Sequence, residues 1–402
     1  MSELFSPPPV QRLILAVNAG SSSLKIAVFE ANSPPVRLAS AKIERIGASD
    51  AKITLAIGGE ASRSEAVVAS SHDDALAAIM SSLRGKINDT SIAGVGHRLV
   101  HGGPNHSASE VITPKLLDDI RQLELYDPEH LPSELQVIES LKRRLSNIPH
   151  VACFDTAFHH DLPAVARRLP LPRRFDAFGV RRYGFHGLSY AYLMDHLARL
   201  DYEESRGRIV LAHLGNGASL AAVRDGKPID TSMAFTPAAG IPMSTRSGDI
   251  DPGLIEYLLR SASITVQEFN RIIHLESGLL GVSETSGDME LLLEHESEDA
   301  RAGEAVAIFC YHVRKYIGAY AAAMGGLDTL VFTGGIGERA AKVRLQICAE
   351  LRFLGIELDP MANSDNSKLI SNGAFPVKVR VITTDEEQMI AKDVINMIGE
   401  RH

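Results

Sequence analysis

Moving a phosphoryl group calls for donors around oxygens that gain negative charge, and for a metal ion to bridge phosphates. Three segments offer backbone donors: NAGSSSLK at 18–25, HLGNGAS at 213–219 and FTGGIGE at 332–338. Their side chains are small, so an anion can reach consecutive N–H groups. One such segment reads equally as an ordinary turn; three, each following an apolar run, point to phosphate binding. The P-loop pattern GxxxxGK[ST] is absent from the sequence. For cationic donors the candidates are Arg98 in HRLVHGG and Arg246 in MSTRSGDIDPG, each close to glycines that let a ligand approach, although a single arginine is usually a solvated surface charge. Asp155 follows the apolar run Val151–Phe154, where α/β sheets place their sites, although a helix cap would also explain it. His186, between Phe185 and Gly187, is a further donor or a structural histidine. His159 and His160 have no third ligand at a supporting spacing, and Mg²⁺ prefers oxygen.

These residues need strands and helices to hold them. Leu13–Val17 and Leu24–Phe29 read as strands around NAGSSS; Ile209–His213 and Ser219–Val223 flank GNG in the same way. An overlay that carries Leu15 onto Leu211 also matches Ala16 with Ala212, Ser23 with Ser219 and Leu24 with Leu220, a displacement of about half the chain. A duplicated, two-lobed α/β protein follows. Thr329–Phe332 reads as a further strand, preceded by a helix over 303–324 that Gly325 and Gly326 stop. Thr384 and Glu387 have capping-box spacing ahead of an amphipathic run, Gln388–Ile398, which predicts a final helix. The lobes are expected to divide near Pro149–Ala152, giving 1–151 with 387–402 packing back on it, and 152–386 on the nucleotide side.

The chain's bulk properties limit the alternatives. It has 402 residues, 45% hydrophobic and 23% charged, enough for two ordinary cores. The formal net charge is −9 and the basic residues are scattered, which disfavours a nucleic-acid partner. Cys153, Cys310 and Cys348 are few, odd in number and far apart, which suits a reducing compartment and small buried side chains. MSELFSPPPVQR has no basic or long apolar region, and no segment has the roughly 20 apolar residues of a membrane span. A cytoplasmic protein without a membrane partner is expected.

NAGSSSLK, HRLVHGG, FDTAFH, RRYGFHG, HLGNGAS, DTSMAFTP, TRSGDIDP, FTGGIGE and TDEEQMIA together resemble the acetate kinase family over nearly the whole chain. The resemblance implies two duplicated actin-like (ribonuclease H-like) lobes around a central nucleotide cleft. It also implies a homodimer, Mg²⁺ with ATP/ADP as co-substrate, and direct transfer of the γ-phosphoryl group to a small-molecule carboxylate. It assigns Arg98 and Arg246 to the carboxylate and the transferring phosphoryl group, Asp155 to orienting these arginines or the reacting oxygen, and His186 and Asn216 to phosphoryl contact. Asn18 and Glu386 would serve the metal; a bland reading of Glu386 is helix N-terminal charge, which Glu387 alone could supply. Lys25, Asn216, Gly217, Asp288, Gly334, Gly335 and Gly337 would contact nucleotide, and Val100, Leu125, Phe185 and Pro237 would line a small acyl pocket.

Departures from the family pattern are specific. Tyr126, in LYDPE, stands where family members carry His, Glu290 where an adenosine-side Arg is usual, and Arg339 where Asn is usual. Beside an acetate kinase stand two other readings: a kinase for propionate or another short-chain acid, or for another donor such as pyrophosphate, and a non-catalytic actin-like nucleotide binder. The last has no need for Arg98, Asp155, Arg246 and Glu386 together.

Overall fold

The computed structural model describes residues 12–85 and 91–399; the segment 1–11, most of the stretch read above for a leader, lies outside them. The apolar runs form strands slightly longer than expected. β1 (Leu13–Ala19) and β2 (Ser23–Glu30) pair antiparallel, with Gly20 N–H donating to Ser23 O at 2.8 Å in the turn. β3 (Val36–Glu44), β4 (Lys52–Ile57) and β5 (Arg63–Ala66) extend the sheet antiparallel from β2. On the other side of β1 lie β6 (Ile92–Leu99), β7 (Glu110–Val111) and β8 (His150–Phe154). The eight-stranded order is β5-β4-β3-β2-β1-β6-β8-β7, with β1, β6 and β8 parallel.

A second sheet repeats this plan. β9 (Arg208–Leu214), β10 (Ala218–Arg224) and β11 (Lys227–Thr231) form an antiparallel meander. β12 (Thr329–Thr333) and β13 (Lys378–Val381) then add parallel to β9, giving β11-β10-β9-β12-β13. That order matches β3-β2-β1-β6-β8, so the weak overlay of Leu15 on Leu211 reflects two copies of one topology, the actin-like lobe.

The two sheets belong to two compact units: described residues through Ala157 together with those from Asp385 onward, and Phe158–Thr384. These divisions differ from those placed at 151/152 and 386/387. Phe154, the end of β8, belongs to the first sheet, and Asp385 is held by Arg37 at 2.5 Å. The helix Glu386–Gly399 packs on β1 and β6. It comes so close that a Cβ on Gly96 would lie 2.3 Å from the Ile390 side chain, and one on Gly94 2.7 Å from Val394. A larger residue at either position would push the helix off the strand. The same unit buries Leu76, Ile79, Val137 and Leu141 against β1–β4.

Capping of this last helix differs from expectation. Asp385 Oδ1 accepts the Gln388 N–H at 2.9 Å, so the cap lies one residue later than Thr384. The Thr384 hydroxyl is instead paired with Ser189 Oγ at 2.8 Å, and Glu387 bonds Lys25 at 2.7 Å. In the second unit the helix Ala300–Met324 ends as expected at Gly325, in the left-handed region at φ 75°. All three cysteines are buried, and burial raises each thiol's pKa.

Candidate active site

In the first unit, Asn18, Arg98 and Asp155 lie at the C-terminal ends of three adjacent parallel strands, β1, β6 and β8. Arg98 donates through Nε (3.1 Å) and Nη2 (2.5 Å) to the same oxygen, Asp155 Oδ2. Asp155 Oδ1 is left buried with no hydrogen-bond partner among the described residues. Glu386 Oε2 lies 4.0 Å from Arg98 Nε and accepts from Asn18 Nδ2 at 3.1 Å.

Burial on its own would lower the Arg98 pKa, but Asp155, Glu134 and Glu386 outweigh it and hold the guanidinium above the ordinary arginine value. Burial, helped by the Asp155 charge, pushes the Glu386 carboxyl up to about 7 against the pull of Arg98. Glu387 goes the other way: Lys25 and Arg37 overcome its burial and hold it below the usual range. The Glu386 carboxylate, which burial and the Asp155 charge leave reluctant to ionise, is in the environment that a hard, oxygen-seeking cation relieves. The donors present, carboxylate and amide oxygens, fit Mg²⁺.

In the second unit, His186 sits in the left-handed region at φ 58°, heading the helix Gly187–Leu200. Its Nδ1 bonds Ser219 Oγ at 2.9 Å, and its ring stacks on His213 with centroids 4.2 Å apart. Ser219 is fixed in turn by Tyr190 OH at 2.5 Å, and His213 Nδ1 by Ser189 Oγ at 2.9 Å. A Cβ on Gly217 would lie 3.3 Å from His186 Nε2 and 3.7 Å from Arg246 Nη1, so the glycine keeps the space beside both side chains open. Asn216 is held by Ser244, whose N–H donates to its carbonyl at 3.1 Å. Arg246 Nη1 donates to Pro237 O at 3.4 Å.

Several predicted ligand-facing residues have structural partners. FTGGIGE is no open loop: its glycines begin a short helix, Gly334–Arg339. Glu338 Oε1 takes the N–H groups of Gly334 (3.0 Å) and Thr384 (3.3 Å), so the first glycine N–H is already spoken for. Gly335 is exposed and Gly337 buried. Lys25 is ion-paired with Glu387 at 2.7 Å, and Asp288 caps the helix Met289–His295. Val100, Phe185 and Pro237 are buried within their own units, whereas Leu125 is 91% exposed at the end of a single 3₁₀ turn. Glu290 and Arg339 are exposed; Tyr126 meets His101 edge-on at 5.4 Å.

Sequence reasoning missed Glu134. Its carboxylate is buried in the helix Leu131–Arg144, reaching Arg98 Nη1 at 3.5 Å and the Val100 N–H at 3.0 Å. The signal was there: a lone acid one turn before Ile138 and beside Leu131 and Leu135, on the face that otherwise reads as core.

Residues 13–392 match the family model described as the acetokinase family. The acetate kinase of Bacillus subtilis is 42% identical over 96% of this chain and 99% of its own. That of Staphylococcus aureus (strain Mu3) is 42% identical over 97% and 100%. Among solved structures, Porphyromonas gingivalis acetate kinase superposes with a TM-score of 0.86 at 36% identity, covering 96% of this chain and 99% of that one. A propionate kinase from Francisella tularensis gives 0.90 at 34% identity, covering 96% and 100%.

Proposed function

The chain belongs to the acetokinase family, and from that premise we propose that it transfers the γ-phosphoryl group of ATP reversibly to acetate, giving acetyl phosphate and ADP. The observation that carries the chemistry is the Arg98 fork on Asp155 with Glu386 at its flank. The acceptor is a carboxylate, ionised at neutral pH, so no general base has to remove a proton before attack. A carboxylate oxygen forms the new P–O bond, the bond from phosphorus to the β–γ bridging oxygen breaks, and ADP leaves with that oxygen's charge. What the protein must supply is position and positive charge.

Arg98 is read as the anchor for the acetate carboxylate and the phosphoryl group, with Asp155 fixing its plane. Arg246, His186 and Asn216 are read as the contacts to phosphoryl oxygens. His186 has little freedom in that role, since Ser219 and His213 hold its ring. Asn18 and Glu386 would hold Mg²⁺, which would supply positive charge to offset that of the phosphates. Lys25, Gly217, Gly334, Gly335, Gly337 and Asp288 remain the proposed nucleotide side, and Val100, Leu125, Phe185 and Pro237 the proposed acyl wall. The resemblance supports a cytoplasmic homodimer. The test is a matrix of ATP, GTP and pyrophosphate against acetate, propionate and butyrate, with acyl phosphate trapped as hydroxamate. Acetate with ATP is expected to give the highest kcat/KM; a preference for another acid or donor would overturn the assignment.

Glu290 bears on the donor. An arginine there would stack on adenine or donate a hydrogen bond, and a carboxylate does neither. Loss of one charge-assisted hydrogen bond costs about 1.5–3 kcal/mol, roughly 10- to 150-fold in affinity. Arg339 is read as the compensating donor; its Nη2 lies 3.7 Å from where a Cβ on Gly335 would sit. The expected result is a high KM for ATP with weak purine discrimination, lowered by Glu290→Arg and raised by Arg339→Ala. A low parent KM that neither substitution moves would remove both side chains from the nucleotide.

A further inference from the structure

The carboxylate of Glu134 has no part yet in the reaction described above, but it touches two of the residues proposed to receive the acceptor, Arg98 and Val100. Oε1 lies 3.5 Å from Arg98 Nη1, and Oε2 accepts the Val100 N–H at 3.0 Å. The side chain is fully enclosed, at 0% exposure against 15% for Arg98. An acid removed from water this completely is costly unless its partners are fixed; burial pushes its carboxyl above the usual range, while Arg98 and the Val100 N–H pull it back toward the charged form.

Its contacts are divided in an informative way. Asp155 holds the Nε and Nη2 edge of the guanidinium, while Glu134 addresses Nη1, so the fork is restrained at two edges rather than pivoting about one oxygen. The second oxygen of the same carboxylate holds the main chain just where β6 ends. Leu99, between the two, is tied to the end of the neighbouring strand β8, its carbonyl accepting the Asp155 N–H at 2.9 Å. One carboxylate therefore sets the direction of a cationic side chain and the position of the apolar residue two places on.

We propose that Glu134 is a positioning residue for the acceptor: it aims Arg98 at the substrate carboxylate and sets, through the Val100 backbone, the depth available to the acyl tail. This rests on the carboxylate-kinase reading above. Two substitutions separate the two jobs. Glu134→Gln keeps an oxygen for the Val100 N–H but turns the ion pair with Arg98 into contact with an amide. Glu134→Leu fills the space and gives up both contacts.

The experiment measures kcat, both KM values and the thermal midpoint for parent, Glu134→Gln and Glu134→Leu, with acetate and propionate as acceptors. Glu134→Gln is expected to lower kcat/KM for acetate about tenfold while KM for ATP stays within twofold and the propionate-to-acetate ratio stays at the parent value. Glu134→Leu is expected to lose at least as much and to shift that ratio more than threefold. A purely structural role would lower the midpoint and move both KM values together, or leave kinetics alone, and either result overturns the proposal. So does a Glu134→Gln variant with parental kcat/KM, even if Glu134→Leu fails to fold. A parent that phosphorylates no carboxylate overturns the functional reading and this inference with it; an active parent with unmoved variants overturns only the inference.

Discussion

Replacing Arg98 with Ala is expected to lower kcat by about 10² or more, the scale of a lost electrostatic donor aimed at developing charge. Arg246→Ala is expected to fall in the same range. The two should differ in stability. Arg98→Ala leaves Asp155 and Glu134 facing each other with their shared cation gone, and breaking a buried pair costs about 3–5 kcal/mol. Arg98→Lys is the cleaner probe: it keeps a positive charge but loses the planar fork that meets Asp155 through Nε and Nη2. We expect it to fold with a thermal midpoint near the parent's and still lose most of kcat. The measurement is kcat at saturating ATP, acetate and Mg²⁺ on protein shown to be folded by calorimetry. Activity within threefold of the parent for both Arg98→Lys and Arg246→Ala would take these side chains out of the mechanism.

Much of the architecture was legible because its signals are local. Leu13–Val17 and Leu24–Phe29 are apolar runs interrupted by turn formers, so strand, turn and strand follow from composition alone, and the second copy at Ile209 and Ser219 made the duplication visible. Gly325 marked a helix end because only a residue tolerant of positive φ fits there. What escaped depends on contacts between elements distant in sequence. Thr384 and Asp385 are both good caps, and the choice fell to Asp385 because Ser189 engages the Thr384 hydroxyl. Glu134 could be picked out as an acid on an apolar helix face, but not matched to Arg98 without knowing which strand that helix covers.

Asp155 and Glu386 are expected to fail differently when changed, because an orienting group and a metal ligand are limited by different things. Asp155→Asn keeps the size of the side chain but removes the charge opposite Arg98, and its amide can turn an N–H₂ toward the guanidinium. The fork then loses its fixed plane, and kcat should drop by about 10² even at saturating Mg²⁺, with little change in the metal concentration for half-maximal rate. Glu386→Ala leaves the Arg98–Asp155 pair in place and removes the oxygen that Asn18 Nδ2 contacts at 3.1 Å. Here the metal concentration for half-maximal rate should rise by about tenfold or more, with kcat partly restored as Mg²⁺ increases. The check is a full Mg²⁺ titration of the rate for parent and both variants at fixed ATP. A Glu386→Ala curve that overlays the parent's would leave Glu386 only its place at the start of the last helix, where its charge complements the helix N-terminus. An Asp155→Asn variant restored by metal would make Asp155 a ligand rather than the residue that aims Arg98.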